Sequence, residues 1–328
     1  AQFWDRIASE IDLDRPFHGI EICEKDRVLV DGKPERQIRI HVHWPLDPVI
    51  KPSTPLLMID ADADLEINRV FFGLSLQSVE IKAARNAHVT QCCSTRLSKW
   101  TLLRPRPKEK GGRTRELQKV VEIIDSEVQR GGKVLVVMPK QVRTNLIASE
   151  GYNGANRIGI IERSELWHGA TIAHFHYIRG SDEWADCDTV IIVGREEPPP
   201  EVVERIARAI WADDPEPMQF IGSGRYEQRK LGYRMRDGSL KGVMTSIHPD
   251  HRVQRVLEFV REKESVQAID RIRLIHAKNC KRVIILCSIP LDITVDKLST
   301  FDQLAGTPGR LGPLGRLELV LNTTGILP

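Results

Sequence analysis

Gln267, Arg271 and Arg273 are the residues of this sequence best suited to chemistry on a charged substrate. They lie at 266–273, near the end of a stretch whose spacing predicts a long charged helix. A guanidinium is planar, always charged and able to donate several hydrogen bonds, so it can neutralise the charge that develops on a phosphoryl group during transfer. The alternative is an exposed helix surface whose arginines form ion pairs with Glu262 and Glu264.

A polar loop at residues 176–188 precedes the apolar run 189–193, which predicts a buried strand. The loop contains Arg179, Gly180 and Asp182. Glycine permits close approach of the backbone to a ligand, and the two charged side chains could contact phosphate or orient water. The alternative is an ordinary turn in which Asp182 or Asp188 accepts hydrogen bonds from backbone N–H groups.

Three alternating carboxylates, Asp60, Asp62 and Asp64, follow the apolar run 56–59. That run predicts a parallel strand covered on both faces, which would deliver the carboxylates to the edge where α/β proteins bind ligands. Such a set could hold two metal ions, as in nucleases. Asp62 could instead cap the predicted helix 65–72, which Gly73 would end.

Two sets of residues could contact nucleic acid. Lys140, Arg143 and Thr144 follow the predicted strand 133–138, where side chains and helix-terminal N–H groups can meet a phosphate backbone. Arg229, Lys230 and Arg234 alternate with tyrosines in a predicted hairpin, 222–248, whose turn is Asp237-Gly238. Rings that stack bases and cations that follow phosphates suit single strands. An exposed amphipathic hairpin is the alternative.

The elements that would position these residues alternate between strands and helices. A hairpin is predicted at 27–44, and the basic, proline-bearing stretch 96–113 is predicted to be a linker in which Trp100 could stack on a base. Further strands are predicted at 79–81, 88–92, 157–161, 170–177 and 282–287. Further helices are predicted at 114–130, 201–211 and 251–262.

Composition predicts an ordinary water-soluble globular protein. The chain has 328 residues, of which 41% are hydrophobic and 28% charged, with a net charge of +3. This length favours two domains. No apolar run approaches the roughly 18 residues of a membrane span. The six cysteines form no Cys-x-x-Cys pair, which favours reduced thiols in the cytoplasm. The missing initiator methionine suggests a processed product or a fragment.

In this order, the segments resemble motifs three to six of superfamily 2 DNA helicases, most closely the phage and plasmid replication type. The sixth motif reads Gln-x-x-Gly-Arg-x-x-Arg. Gln267 and Arg271 match it, Asp270 replaces the glycine, and Arg273 comes one position early. Residues 60–64 look like the third motif, 133–144, which opens with a predicted strand, like the fourth, and 179–194 like the fifth. The resemblance covers roughly residues 50–300.

The resemblance implies an α/β fold of RecA-like type, with a parallel sheet and flanking helices. One complete lobe would follow the end of a preceding lobe. The expected division is 1–95 for the end of the first lobe with a hairpin insertion, 96–115 for a basic linker, 116–306 for the second lobe and 307–328 for a polar tail.

The resemblance also implies roles. Arg271 would be the arginine finger of an ATP-dependent helicase or translocase, with Gln267 and Arg273 beside it. The 179–182 loop would sense the nucleotide, and Asp60, Asp62 and Asp64 would couple it to nucleic acid. The expected partners are single-stranded or forked DNA and an upstream ATPase lobe of the same parent protein.

ATP and Mg²⁺ are the implied cofactors, but their main ligands are expected outside this chain. No Gly-x-x-x-x-Gly-Lys-Ser/Thr and no Asp-Glu-x-His/Asp box occurs in the sequence. The chain alone is therefore expected not to hydrolyse ATP. The alternatives are a non-catalytic nucleic-acid-binding scaffold of RecA-like fold and a metal-dependent nuclease.

Overall fold

A computed structural model describes residues 2–12, 18–30, 33–44, 55–81, 83–104, 114–148 and 164–306. The chain divides into two compact units. Unit 1 consists of Ala1–Ile81, Pro198–Glu227 and Ser246–Phe259. Unit 2 consists of Lys82–Glu197, Gln228–Thr245 and Val260–Pro328.

The described strands are β1 (Ile20–Val30), β2 (Lys33–Val42), β3 (Ala87–Cys92), β4 (Val134–Met138), β5 (Glu165–Trp167), β6 (Ala170–His174), β7 (Thr189–Val193), β8 (Glu227–Met235), β9 (Leu240–Ile247), β10 (Lys281–Leu286), β11 (Thr294–Val295) and β12 (Lys297–Ser299). The described helices are α1 (Gln2–Ile11), α2 (Leu65–Phe72), α3 (Lys99–Leu103), α4 (Arg115–Gln129), α5 (Lys140–Ala148), α6 (Pro200–Ile210), α7 (His251–Glu258), α8 (Glu264–Asp270) and α9 (Phe301–Leu304). A π-helical turn, Phe259–Lys263, joins α7 to α8.

Unit 2 is built on a seven-stranded sheet in the order β12-β3-β10-β7-β4-β6-β5. All its pairings are parallel except that of β5 with β6. The central strands β4 and β7 are buried at every position, which is why their sequences are continuous apolar runs. This confirms a mixed α/β fold with a mostly parallel sheet flanked by helices.

Separate apolar cores cover the two faces of this sheet, and the residues of β7 alternate between them. Val190 and Ile192 pack in the core that contains α8. Ile191 and Val193 pack in the core that contains α3, α4, α5 and α9. Because successive strand residues point to opposite faces, a strand with two buried faces needs apolar residues throughout.

In unit 1, β1 and β2 form an antiparallel hairpin. Helices α6 and α7 pack through a core that includes Val203, Trp211, Val253 and Leu257. Glu204 of α6 is buried, and it accepts hydrogen bonds from the backbone N–H groups of Ile221 and Gly222 and from His248.

Most of the predicted elements are confirmed, including both hairpins, the helix at 65–72 that ends at Gly73, and the strand at 189–193. The strands predicted at 56–59 and 79–81 are wrong. Leu57, Ile59, Val79 and Ile81 are all more than four-fifths exposed and belong to no strand. An apolar run becomes a buried strand only where neighbouring strands can pair with it. The predictions for 31–32, 105–113, 157–161 and 307–328 lie outside the described residues.

The division into units differs from the one predicted. β3 pairs with β10 and β12, so the main sheet begins before residue 95. The described part of the expected linker contains α3, whose Leu102 is fully buried. Residues 198–227 and 246–259 were expected in the second lobe, but they fold with residues 1–81.

Candidate functional site: the end of helix α8

Helix α8 holds the predicted catalytic residues at the surface of unit 2. Its apolar side chains, among them Ala268 and Ile269, are buried in the core beneath the main sheet. Gln267 and Arg271 are four residues apart and both are partly exposed. Residues at that spacing lie on the same side of a helix, so the two residues share a partly exposed side.

The beginning of α8 is bound to the 176–188 loop through Glu264. This carboxylate is only 1% exposed. It accepts a 2.6 Å hydrogen bond from the backbone N–H of His176 and a 2.9 Å hydrogen bond from Nε of Arg179. Burial alone would raise the pKa of Glu264, but the hydrogen bonds from His176 and Arg179 outweigh it and lower the pKa to about 2. Glu264 is therefore ionised at neutral pH and fixes the loop against the helix.

The other end of α8 is bound to the same loop through Arg273. Its guanidinium forms an ion pair with Asp182, and the hydrogen bond from Arg273 lowers the pKa of that carboxyl. Arg273 has φ 52° and ψ 54°, the left-handed region that non-glycine residues rarely adopt. The turn after α8 thus directs Arg273 back across the loop. The structure brings together two residues that are 91 positions apart in the sequence.

Arg271 forms no ion pair within the described part of the chain. Its Nε is buried and has no hydrogen-bond partner among the described residues. Its charge contributes to the lowered pKa of Asp182, after the hydrogen bond and the charge of Arg273, which places it close to the loop. Since the residue is partly exposed and has no ion pair among the described residues, its guanidinium could bind an anion that approaches from solvent.

The expected alternative, in which these arginines pair with Glu262 and Glu264, is wrong. Glu262 pairs with Arg261, and Glu264 pairs with Arg179.

Gly180 lies in the loop that contacts α8. It has φ 70°, and a Cβ atom there would meet no atom within 4 Å, so the glycine is explained by its backbone conformation and not by a close approach of other atoms.

Two residues that the sequence analysis missed fix the end of α8. Arg85 forms a bidentate ion pair with Asp270, with both N–O distances at 2.8 Å. Lys281 donates hydrogen bonds of 2.7 Å to the carbonyl oxygens of Ile272 and Ala185, and so joins the helix end to the loop. Asp270 therefore has a structural role. The one sequence feature that could have pointed to these contacts is Lys281, a charged residue at the start of the apolar strand β10.

The residues after β4 do not form one basic surface. Lys140 is exposed at the first position of α5. Arg143 is fully buried, and its Nε donates to the carbonyl oxygen of Ile172. Thr144 donates to the carbonyl oxygen of Lys140 within the same helix. The prediction that Arg143 contacts nucleic acid is incompatible with its place in the core, because a buried side chain cannot reach a phosphate.

In the β8–β9 hairpin, Arg229 and Lys230 are exposed and have no ion pair within the described residues. The stem of Lys230 lies over Gly242 of the opposite strand, where a Cβ atom would clash with it. Arg234 is also exposed but forms an ion pair with Asp292. Tyr233 is buried, with its hydroxyl donating to the carbonyl oxygen of Ser288, so this ring is an anchor and not a stacking surface.

Asp60, Asp62 and Asp64 lie in unit 1, and they follow no strand. Asp64, not Asp62, caps α2 by accepting from the N–H groups of Glu66 and Ile67. Asp60 accepts from the N–H of Asp62. The structural premise for a coupling motif, a strand ending at these residues, is therefore absent. The helix-cap alternative is therefore wrong about Asp62, although α2 is capped by another aspartate of the same stretch.

Other features of the described residues lie away from α8. A cavity of about 550 Å³ opens beside the starts of β3 and β10 and the end of α4, and none of the predicted site residues lines it. Within the described residues, no three His, Cys, Asp or Glu side chains are placed to hold a metal ion. No described helix has the length and apolarity needed to cross a membrane.

Comparison with known proteins does not assign the chain to a family: no family model, no curated protein and no solved structure matches it.

Proposed function

We propose that unit 2 is a RecA-like lobe of an ATP-dependent nucleic-acid helicase or translocase, and that Arg271 is its arginine finger. The observation that carries the proposal is the contrast between two neighbouring arginines. Arg273 is held by Asp182, whereas Arg271 beside it is partly exposed and forms no ion pair among the described residues. An arginine finger must be positioned by its surroundings yet keep its donors available for the transferring phosphoryl group.

The contacts around α8 suit this role. A helix that carries the finger must respond to the nucleotide together with the loop that contacts it. Glu264 binds that loop at the start of the helix, and Arg273 and Lys281 bind it at the end. Movement of the 176–188 loop would therefore move Arg271 as well. Gln267, one turn earlier on the same side, would lie next to the phosphates.

ATP with Mg²⁺ would supply the transferable phosphoryl group and most of the charge compensation. The partly exposed guanidinium of Arg271, which has no ion pair among the described residues, suits an anionic oxygen. No phosphate-loop motif occurs in this sequence, so the phosphate-loop lysine and the Mg²⁺ ligands would belong to another lobe of the parent protein. This chain would contribute the arginine, the sensing loop and contacts with a single strand.

The test is steady-state ATP hydrolysis by the full gene product with saturating single-stranded DNA. Arg271→Ala should lower turnover by roughly 10³-fold or more with little change in nucleotide affinity. Arg271→Lys should restore little, because an ammonium group lacks the planar set of donors. Arg130→Ala, an exposed arginine at the end of α4, is the matched control and should keep wild-type turnover. Equal turnover in wild type and Arg271→Ala would refute the proposal.

A second candidate is a non-catalytic nucleic-acid-binding protein of the same fold. The exposed cations Arg229 and Lys230 favour it, since they need no nucleotide to bind phosphates. Under this alternative, Arg271→Ala would leave strand binding intact and no ATP-dependent property would change. The hydrolysis assay therefore separates the two.

A further inference from the structure

Trp100 on α3 has an unusual environment for a large aromatic side chain. Its ring is 66% exposed. Leu102, two positions later, is fully buried in the core beneath the sheet. Two helical positions are about 200° apart, so burial of Leu102 directs Trp100 outward. The exposure of Trp100 is therefore fixed by the anchoring of α3.

The ring of Trp100 is held by a cation. The guanidinium carbon of Arg104 lies 4.1 Å from the centre of the indole ring. Arg104 is four residues after Trp100, and its backbone N–H donates to the Trp100 carbonyl oxygen. A guanidinium stacked on an indole restricts the ring and is attracted to its electron-rich face. One face of the ring is thus covered by Arg104. Because the ring is already restricted, the tryptophan side chain would lose less conformational entropy when a ligand binds.

Helix α3 itself is rigidly placed at the carboxyl edge of the sheet. Ser98 caps it by accepting from the N–H of Thr101, and Lys99 pairs with Glu196 at 2.5 Å. Gly194, at the end of β7, approaches the Leu97 carbonyl oxygen so closely that a Cβ atom would lie 2.5 Å from it. A substitution at Gly194 would therefore displace the turn that carries Trp100.

Exposed cations lie on elements next to the α3 turn. α3 packs against α5, which begins with the exposed Lys140. Arg96, four residues before Trp100, donates to Gln228 and to the Met244 carbonyl oxygen, which holds the β8–β9 hairpin beside this turn. That hairpin carries the exposed cations Arg229 and Lys230. An exposed ring among cations matches the pattern by which proteins bind single strands, with bases stacked on aromatic rings and phosphates near positive charge.

We propose that Trp100, backed by Arg104, is a stacking platform for one unpaired base of a single-stranded nucleic acid. The strand would cross the carboxyl edge of the sheet, with its phosphates near Lys140 and the β8–β9 hairpin. This inference rests on the proposed function for its ligand class. It adds the requirement that the strand be recognised through a base as well as through its backbone.

The experiment compares two fluorescein-labelled strands of about 12 nucleotides, an oligothymidylate and an abasic strand of equal length, by fluorescence anisotropy. Wild type should bind the oligothymidylate more tightly. Trp100→Ala should weaken that binding by about 5- to 150-fold, the range for one stacked base, and leave the abasic strand unaffected. Trp100→Phe should retain most of the affinity. Trp4→Ala removes an exposed tryptophan of unit 1 and is the matched control, expected to bind like wild type.

The proposal that Trp100 stacks on a base would be overturned if the wild type bound the two strands equally well. It would also be overturned if Trp100→Ala bound the oligothymidylate as tightly as wild type does. An equal loss for both strands in Trp100→Ala would also overturn it, because the ring would then only support the fold or the charge. These outcomes are independent of the Arg271 test. If stacking is found but Arg271→Ala hydrolyses ATP normally, the proposed motor function fails while the platform stands.

Discussion

The carboxylate of Glu264 and the backbone N–H of His176 are joined by a 2.6 Å hydrogen bond, although the residues are 88 positions apart in the sequence. The same carboxylate accepts from Arg179. One buried anion therefore holds the turn after β6 against the beginning of α8. Since the arginines of the candidate site follow at the other end of that helix, Glu264 helps to fix their position relative to the loop, together with Arg273 and Lys281.

Glu264→Gln is expected to destabilise the fold by about 1–3 kcal/mol, because a buried neutral amide cannot replace the charged acceptor of Arg179. A double-mutant cycle with Arg179→Ala, followed by urea unfolding, should give a coupling energy above about 0.5 kcal/mol. Glu183→Gln, an exposed carboxylate of the same loop, is the control and should change stability little. Additive effects of the Glu264 and Arg179 substitutions would show that the two side chains do not interact.

The imidazole of His176 should make this contact pH-dependent. Its hydrogen bond to Glu264 raises its pKa above the ordinary 6.5. The folded state thus binds the proton more tightly than the unfolded state. The resulting stabilisation is fully present below pH 6.5 and is lost as the pH rises through the folded-state pKa. Asn tolerates the positive φ of this position, so His176→Asn is the appropriate variant.

Urea unfolding at about pH 5.5 and about pH 8.5, on either side of the ordinary pKa of histidine, provides the measurement. Wild type should be more stable than His176→Asn, and this difference in the free energy of unfolding should be larger at the lower pH. A difference that is the same at both pH values, or larger at the higher one, would contradict the assigned contact.

Arg143 and Lys140 form a matched pair on α5, one buried and one exposed. Arg143→Ala should lower the free energy of unfolding by more than about 2 kcal/mol, because it leaves a cavity and removes a donor to the Ile172 carbonyl oxygen. Lys140→Ala should change it by less than about 0.5 kcal/mol. Thermal or urea unfolding of both variants is the measurement. If Arg143→Ala is as stable as wild type but binds nucleic acid weakly, the Arg143 side chain would have to lie at the surface, contrary to the structure.

The hairpin cations should differ in their effect on the salt dependence of strand binding. Arg229→Ala combined with Lys230→Ala should reduce the slope of log affinity against log salt by roughly 0.7 for each phosphate that the variant no longer neutralises. Arg234→Ala should reduce it less, because Asp292 already neutralises that side chain. Lys278→Ala, an exposed lysine before β10, serves as the control. An unchanged slope in the double variant would assign the hairpin to an ordinary solvated surface.

The sequence by itself determined the elements whose patterns are local. The continuous apolar runs of β4 and β7 predicted buried parallel strands, and the glycine at residue 73 marked the end of α2. The grouping of Arg179, Asp182 and Arg273 was expected only through a family resemblance. The structure brings these residues together by placing the loop and α8 in one core.

Only the tertiary structure decided which partner each charged or apolar residue meets. Arg143 and Lys140 are chemically alike in sequence, yet Arg143 is buried and donates to the carbonyl oxygen of Ile172, whereas Lys140 is exposed at the first position of α5. The run 56–59 has the composition of a buried strand but finds no pairing partner among the described residues. Arg85 and Lys281 fix the end of α8 across many residues of sequence. Such contacts depend on distances between segments, and a one-dimensional pattern carries no information about those distances.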